Sequence, residues 1–286
     1  MKILSLAQIR QSAIKALLKV YTPEEAQALV RRLLHHCLPE WELTWLQSKG
    51  EAPFPLHWLD WWERALARLL VQEPIDYITG KTSFLGMEIT LQRGIFIPRP
   101  ETEEWVRRIV QEYASSPPKF ILEVGTGSGA IAIYLAKSFP ESIVYGVDKS
   151  PLALQGARMN AQAHKLDNVI LDYCDFGRMP LPSGWPDRWD LIVSNPPYIP
   201  WEFHKETQAQ VRMYEPPEAL FCEGIGITKE ILLYAAQNLT QEGSCVVEIF
   251  PPHAQMVLSL IEKANLMGKV YADSYQKFRW IVARRR

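Results

Sequence analysis

No apolar run in this sequence approaches the ~18 residues that a bilayer-spanning helix needs, so no membrane segment is expected. There is no C-x-x-C pair. The four cysteines, Cys37, Cys174, Cys222 and Cys245, are scattered, which argues against a disulfide framework or a zinc site and for buried thiols in a reducing compartment. Net charge is nearly absent as well. Lys plus Arg number 31 against 32 Asp plus Glu, a formal −1, so no general basic field draws in a nucleic-acid backbone and stable nucleic-acid binding is not expected. The adjacent His35-His36 has no partner at ligand spacing, and no metal is expected. The first twenty residues lack acids and are mildly amphipathic, as a transit peptide is. An ordinary first helix explains them better, and a cytoplasmic location is expected.

What is present supports a packed core: 48% of the 286 residues are apolar and 11% aromatic, enough for one large domain or two smaller ones. Residues 1 to about 75 read as helical. Thr22-Pro23-Glu24-Glu25 combines a hydroxyl N-cap, proline at the first helical position and acids in the first turn. Ala26, Leu29, Val30 and Leu33 then recur at helical spacing, as do Leu59, Trp62, Leu66, Leu69 and Leu70. Half of the ten tryptophans, Trp41, Trp45, Trp58, Trp61 and Trp62, lie here. They suit the core of a helical bundle, and an exposed subset would suit a partner-binding face.

Between 74 and 97 the character changes. Pro74, Gly80, Gly86 and Gly94 punctuate short alternating runs such as Met87 to Leu91, which predicts a hairpin linker. Prolines 98 and 100 make an extended approach to a helix expected from near Thr102, with Glu103 and Glu104 in its first turn. From 119 onward strands and helices alternate. Phe120 to Val124, Ile143 to Val147, Val169 to Leu171, Leu191 to Val193 and Val246 to Ile249 read as strands, and Val270-Tyr271 with Trp280 to Val282 as a closing hairpin. Such alternation predicts a mostly parallel sheet covered by helices on both faces, with ligands bound beyond the carboxyl ends of the strands.

Two stretches at those ends carry chemistry. The first is Gly125-Thr126-Gly127-Ser128-Gly129, where glycines allow a tight turn and close approach of a ligand. Asp148 follows about twenty residues on, at the tip of the next strand, where a carboxylate can accept both hydroxyls of a ribose. Together they indicate an adenosine-containing ligand. The loop alone leaves NAD open. A glycine at 129 and a carboxylate at Glu123, which would repel a pyrophosphate, favour S-adenosyl-L-methionine. Asp175 and Phe176 would add a polar contact and a flat face for the adenine.

The second stretch, Asn195-Pro196-Pro197-Tyr198, ends the run Leu191 to Val193. Proline has no N–H to continue a ladder, so the strand stops there and Asn195 is held at its edge. The Asn195 amide oxygen and the Pro196 carbonyl can take the two hydrogens of a planar –NH2, while the Tyr198 ring covers its plane. A plain proline-rich loop is the other reading of these four residues.

These residues together resemble the protein-glutamine N5-methyltransferases that modify class I peptide chain release factors. The likeness covers nearly the whole chain, through Pro74 to Gly80, Phe84-x-Gly86, Ile97 to Glu103 (IPRPETE), Glu123 to Ala132, Val193 to Pro200, and Val211 to Pro216. Asn-Pro-Pro-Tyr is shared with enzymes that methylate amino groups of DNA and RNA. The IPRPETE segment and the helical N-terminal region point to the glutamine enzymes. The resemblance implies an N-terminal all-α substrate-recognition domain over 1–73, a hairpin linker over 74–97, and an α/β class I S-adenosylmethionine-dependent methyltransferase domain over 98–286, Rossmann-like with a mostly parallel sheet. It implies Asn195, Pro196 and Tyr198 as catalytic, with Pro197 beside them against the substrate. Gly125 to Gly129, Asp148, Asp175, Phe176 and Asn195 would bind the cofactor, in a monomer acting on release factors. The segment Ile249 to His253, where the family often has a glycine turn, departs from the pattern. The rival readings are an adenine N6 or guanine N2 methyltransferase of nucleic acid, a NAD-dependent oxidoreductase and a non-catalytic scaffold. The closing Arg284-Arg285-Arg286 reads as a solvated tail, with contact to RNA as its other reading.

Overall fold

Hydroxyl caps start the first two helices. In α1 (Leu6–Leu17) the Ser5 side chain accepts the Gln8 N–H while the Gln8 side chain accepts the Ser5 N–H, and Thr22 and Glu25 repeat that reciprocal pair at the start of α2 (Pro23–Cys37). The computed structural model describes residues 5–39, 44 and 52–286. The chain divides into two compact units, Met1–Gly80 and Lys81–Arg286. In the first, α1 and α2 pack with α3 (Leu56–Leu70) and the single turn α4 (Ile75–Thr79) around buried Leu17, Leu33, Trp62 and Leu69. Trp62 is a core residue. Trp58 and Trp61 are half-buried, with Trp61 stacked on His36 at 4.5 Å, whereas Trp41 and Trp45 lie outside the described residues.

The second unit opens with an antiparallel hairpin, β1 (Lys81–Phe84) and β2 (Met87–Thr90), Phe84 pairing with Met87 across the turn. α5 (Pro100–Glu112) starts two residues earlier than the expected Thr102. Pro100 already has the helical φ and needs no donor at the first position, and Glu101 and Glu103 rather than Glu103 and Glu104 occupy the first turn. Thr102 is thereby carried into the interior.

The alternation after residue 119 forms one seven-stranded sheet. β3 (Phe120–Val124) is the middle of its five parallel strands, flanked on one side by β4 (Ile143–Asp148) and β5 (Val169–Tyr173), and on the other by β6 (Trp189–Ser194) and β9 (Leu239–Glu248). These five are parallel. β11 (Phe278–Arg285) runs antiparallel to both β9 and β10 (Leu266–Ala272), and the predicted pairing of Val270 with Ile281 and Tyr271 with Trp280 is present. Arg284 and Arg285 are not a loose tail. They extend β11, pairing with Ser244 and Leu266, because the strand continues its ladder past the apolar residues.

Alternate residues supply two apolar layers, as a period of two requires. Leu122, Val124, Ile192 and Val247 face α9 (Gly226–Asn238) and α10 (Ala254–Lys263); Ile121, Leu191, Val193 and Val246 face α5 and α6 (Ala130–Ser138). α7 (Pro151–Ala163) follows β4, capped by Ser150. After β3 the chain builds outward through β4 and β5, and then returns to place β6 on the other side of β3. A crevice opens at the carboxyl ends where that reversal occurs. Beyond β6, two-residue strands β7 (Ile199–Pro200) and β8 (Phe221–Cys222) pair with each other, with α8 (Ala209–Tyr214) between them in sequence.

Candidate active site at the carboxyl edge of the sheet

The glycine turn is tied to the neighbouring strand before any ligand is considered. The N–H groups of Gly125 and Thr126 both donate to the Val147 carbonyl, at 2.8 and 3.0 Å. The Gly127 N–H donates to Asp148 Oδ2 at 2.8 Å, and the Ser150 N–H to Oδ1 at 2.8 Å. Gly125 and Gly127 have φ of +75° and +55°, and a Cβ on either would meet nothing within 4 Å: their open sides face empty space. Gly129 differs. Its φ is +81°, but a Cβ there would sit 3.0 Å from that of Ala157, so this glycine lets the loop lie against α7.

Glu123 lies beneath the loop, 1% exposed, and accepts the Thr126 hydroxyl at 2.6 Å and the Ala132 N–H at 3.1 Å. Burial pushes its carboxyl up to about 8, against those two hydrogen bonds. Burial also raises Asp148, opposed by the N–H groups of Ser150 and Gly127.

A cavity of about 780 Å³ opens over this loop, within the range that encloses a nucleoside-sized ligand. Gly125, Thr126, Gly127, Ser128, Asp148, Asp175, Phe176, Asn195 and Pro197 all line it; Gly129, Pro196 and Tyr198 do not. Phe176 is held edge-on by Tyr234, ring centres 5.2 Å apart, and Asp175 sits 3.6 Å from Arg178. The cavity thus has glycine backbone without side chains, an acid at the ribose distance along the chain, and a fixed aromatic ring. That set fits S-adenosylmethionine.

At the opposite wall, the hydroxyl of Ser194 donates to the Val124 carbonyl at 2.6 Å and joins the tip of β6 to that of β3. Asn195 follows directly and its Nδ2 donates to Thr102 Oγ1 at 3.1 Å. The Tyr198 hydroxyl donates to Glu248 Oε1 at 2.9 Å. Glu248 is wholly buried at the end of β9 and its Oε2 accepts the Thr102 hydroxyl at 2.7 Å and the Trp105 indole N–H at 2.9 Å. Desolvation raises Glu248, countered by those donors, and raises Tyr198 well above the ordinary phenol range, so its hydroxyl keeps its proton.

Thr102, Trp105 and Glu248 were absent from the sequence-predicted site. The available signal was an acid inside the run Val246-Val247-Glu248-Ile249, since a buried carboxylate must find donors. Glu215 is a second such case: 4% exposed, it accepts the Ile97 N–H at 3.2 Å and forms an ion pair with Arg99. The IPRPETE segment and the residues after the Asn-Pro-Pro-Tyr turn are therefore bound together across 116 to 118 residues of chain.

Comparison with known proteins matches residues 116–281 to a methyltransferase domain and residues 8–80 to the PrmC N-terminal domain. The release factor glutamine methyltransferase of Flavobacterium psychrophilum is 37% identical over 210 residues, 71% of this chain and 72% of that one. That of Deinococcus radiodurans is 30% identical over 257 residues, 89% of this chain and 90% of that one. That of Chlorobaculum tepidum is 34% identical over 256 residues, 87% and 85% of the two chains.

Proposed function

Because this chain belongs to the release factor glutamine methyltransferase family, we propose that it transfers a methyl group from S-adenosyl-L-methionine to the side-chain amide nitrogen of a glutamine in class I peptide chain release factors. The observation that carries the reading is Asn195 at the wall of the glycine-loop cavity, with its amide nitrogen already engaged by Thr102 and its oxygen left to accept. When bound, S-adenosylmethionine supplies an electrophilic methyl on its sulfonium. Gly125, Thr126, Gly127 and Ser128 would cradle it with backbone, Asp148 would take the ribose hydroxyls, and Asp175 and Phe176 would hold the adenine, all of them on the cavity wall.

An amide nitrogen is a poor nucleophile, because its lone pair is delocalised into the carbonyl. Asn195 Oδ1 and the Pro196 carbonyl orient the –NH2 and stabilise the positive charge that develops on it. Tyr198, its hydroxyl tied to Glu248 and its ring behind the cavity wall, would fix the plane against which the amide packs. Such positioning contributes up to ~7–11 kcal/mol in well-aligned cases. No general base stands in the Asn195 to Tyr198 turn, so water would take the proton that the methylated nitrogen sheds. The helical domain over 1–73 recognises the release factor, 74–97 links it to the rest, and 98–286 performs the chemistry, in a cytoplasmic monomer. Among the described residues no helix is long and apolar enough to cross a membrane.

The test is incubation with methyl-labelled S-adenosylmethionine and purified class I release factor, followed by mapping of the label by mass spectrometry. Label on a glutamine side chain is expected. Label on ribosomal RNA or DNA and none on protein would transfer the function to nucleic-acid amines, which the −1 balance of charge disfavours.

A further inference from the structure

Hydrogen-bond polarity in the buried cluster beside the cavity can be followed atom by atom. The Trp105 indole nitrogen is donor only, and it lies 2.9 Å from Glu248 Oε2, so that oxygen is an acceptor. The Thr102 hydroxyl is 2.7 Å from the same oxygen and gives its proton to the ionised carboxylate, which three donors surround. With its proton spent, Thr102 Oγ1 presents only lone pairs to Asn195. The group that Asn195 turns toward it, at 3.1 Å, has to be the amide NH2. The Asn195 oxygen is then forced to the other side.

We propose that Glu248 and Thr102 are positioning residues that set which way round the Asn195 amide lies, so that Oδ1 and not Nδ2 meets the substrate. An inverted amide would present a donor to an –NH2 that is itself a donor. The same carboxylate takes the Tyr198 hydroxyl on its second oxygen at 2.9 Å, so a single buried acid orients both the acceptor for the substrate amide and the ring beside it. Thr102 reaches the cavity wall, whereas Glu248 acts only through others. Asn195 has little intrinsic preference between its two orientations, and a network with a fixed sense supplies one. This inference rests on the assignment of Asn195 as the group that orients the glutamine amide.

The experiment compares wild type, Thr102→Val and Thr102→Ser. Methylation of purified release factor gives kcat and KM, calorimetry gives the affinity for S-adenosylmethionine, and 15N-asparagine labelling reports the Asn195 side-chain amide, assigned by its loss in Asn195→Ala. Thr102→Val is expected to lower kcat by about tenfold or more, one directional hydrogen bond's worth, with KM and cofactor affinity within about threefold. Thr102→Ser, which keeps the hydroxyl, restores most of kcat. In wild type the two Asn195 amide protons differ, one protected from exchange; the protection persists in Thr102→Ser and vanishes in Thr102→Val. A folded Thr102→Val with unchanged kcat overturns the proposal, as does a Thr102→Ser no better than it. If Thr102→Val does not fold, an Asn195 amide in wild type that exchanges like a free side chain overturns it alone. That last readout needs no turnover, so a wild-type protein inactive on release factor would sink the functional reading and leave the relay to be judged by its amide signal.

Discussion

The Gly127 N–H and the Asp148 carboxylate are 2.8 Å apart, and this bond adds a side-chain tie to the two backbone bonds that join the turn after β3 to the tip of β4. Asp148 therefore has two duties: Oδ2 holds the loop in the shape that receives the ligand, and the lone pairs left on both oxygens remain for the ribose. Its backbone partners offset part of the desolvation that burial imposes on the carboxylate.

Removal of that carboxylate should weaken cofactor binding through both duties. Hydrogen bonds to a charged group contribute about 1.5–3 kcal/mol, so Asp148→Ala is expected to raise the S-adenosylmethionine dissociation constant about 10- to 100-fold. Titration calorimetry measures it. An unchanged constant would remove Asp148 from the site.

Asn195→Ala should do the reverse. It deletes an acceptor that matters as charge grows on the substrate nitrogen, so kcat should fall about 100-fold or more, by analogy with loss of one oxyanion-type contact, while cofactor affinity changes little. Steady-state methylation paired with calorimetry separates the two. Retention of most turnover would show that the amide is oriented by other groups.

The two functional turns could be read directly from the sequence because each is local. Glycines within five residues and an Asn-Pro-Pro-Tyr tetrapeptide declare their backbone constraints where they stand, and the β–α alternation declares the sheet that brings them together. The support behind them could not be read in the same way. Thr102 and Glu248 are 146 residues apart, and only the return of β9 to a position beside β6 makes them neighbours. The role of Gly129 was hidden for a similar reason. Its place in a glycine run suggested ligand contact, and the residue that needs its missing Cβ is Ala157 on α7. Arg284 and Arg285 read as a tail because charge marks surface, yet a strand ladder depends on backbone and extends through them.

Glu123 makes a pH-dependent contribution whose sign is fixed. Its carboxyl titrates near 8 when folded and near the ordinary 4.5 when unfolded, so between those values the folded chain holds the additional proton. The stabilisation is full below pH 4.5 and is lost as pH rises through about 8. Glu123→Gln has no proton to lose. The stability of wild type relative to this variant should therefore decline between pH 5 and 8.5, by on the order of a few kcal/mol, in urea unfolding series at fixed ionic strength. A constant difference across that range would mean that the carboxyl titrates elsewhere.

Gly127 and Gly129 should respond differently to the same added methyl group. Both have positive φ, so an alanine at either carries the left-handed penalty of about 1–2 kcal/mol. At 127 the added Cβ points into open cavity, and the further effect falls on whatever the cavity holds. At 129 it lies 3.0 Å from Ala157 Cβ and 3.1 Å from that residue's Cα, so the helix itself must shift. Gly129→Ala is thus expected to lose more thermal stability than Gly127→Ala, by roughly another 1–3 kcal/mol of overpacking. Gly127→Ala is expected to lose more affinity for S-adenosylmethionine, since it fills the space where the ligand must approach the backbone. Melting temperature and calorimetric affinity, measured on both variants, give a crossed pattern if the two glycines serve packing and ligand separately. Parallel losses in both measurements would mean that the loop behaves as one unit and that the open side of Gly127 is not where the cofactor lies.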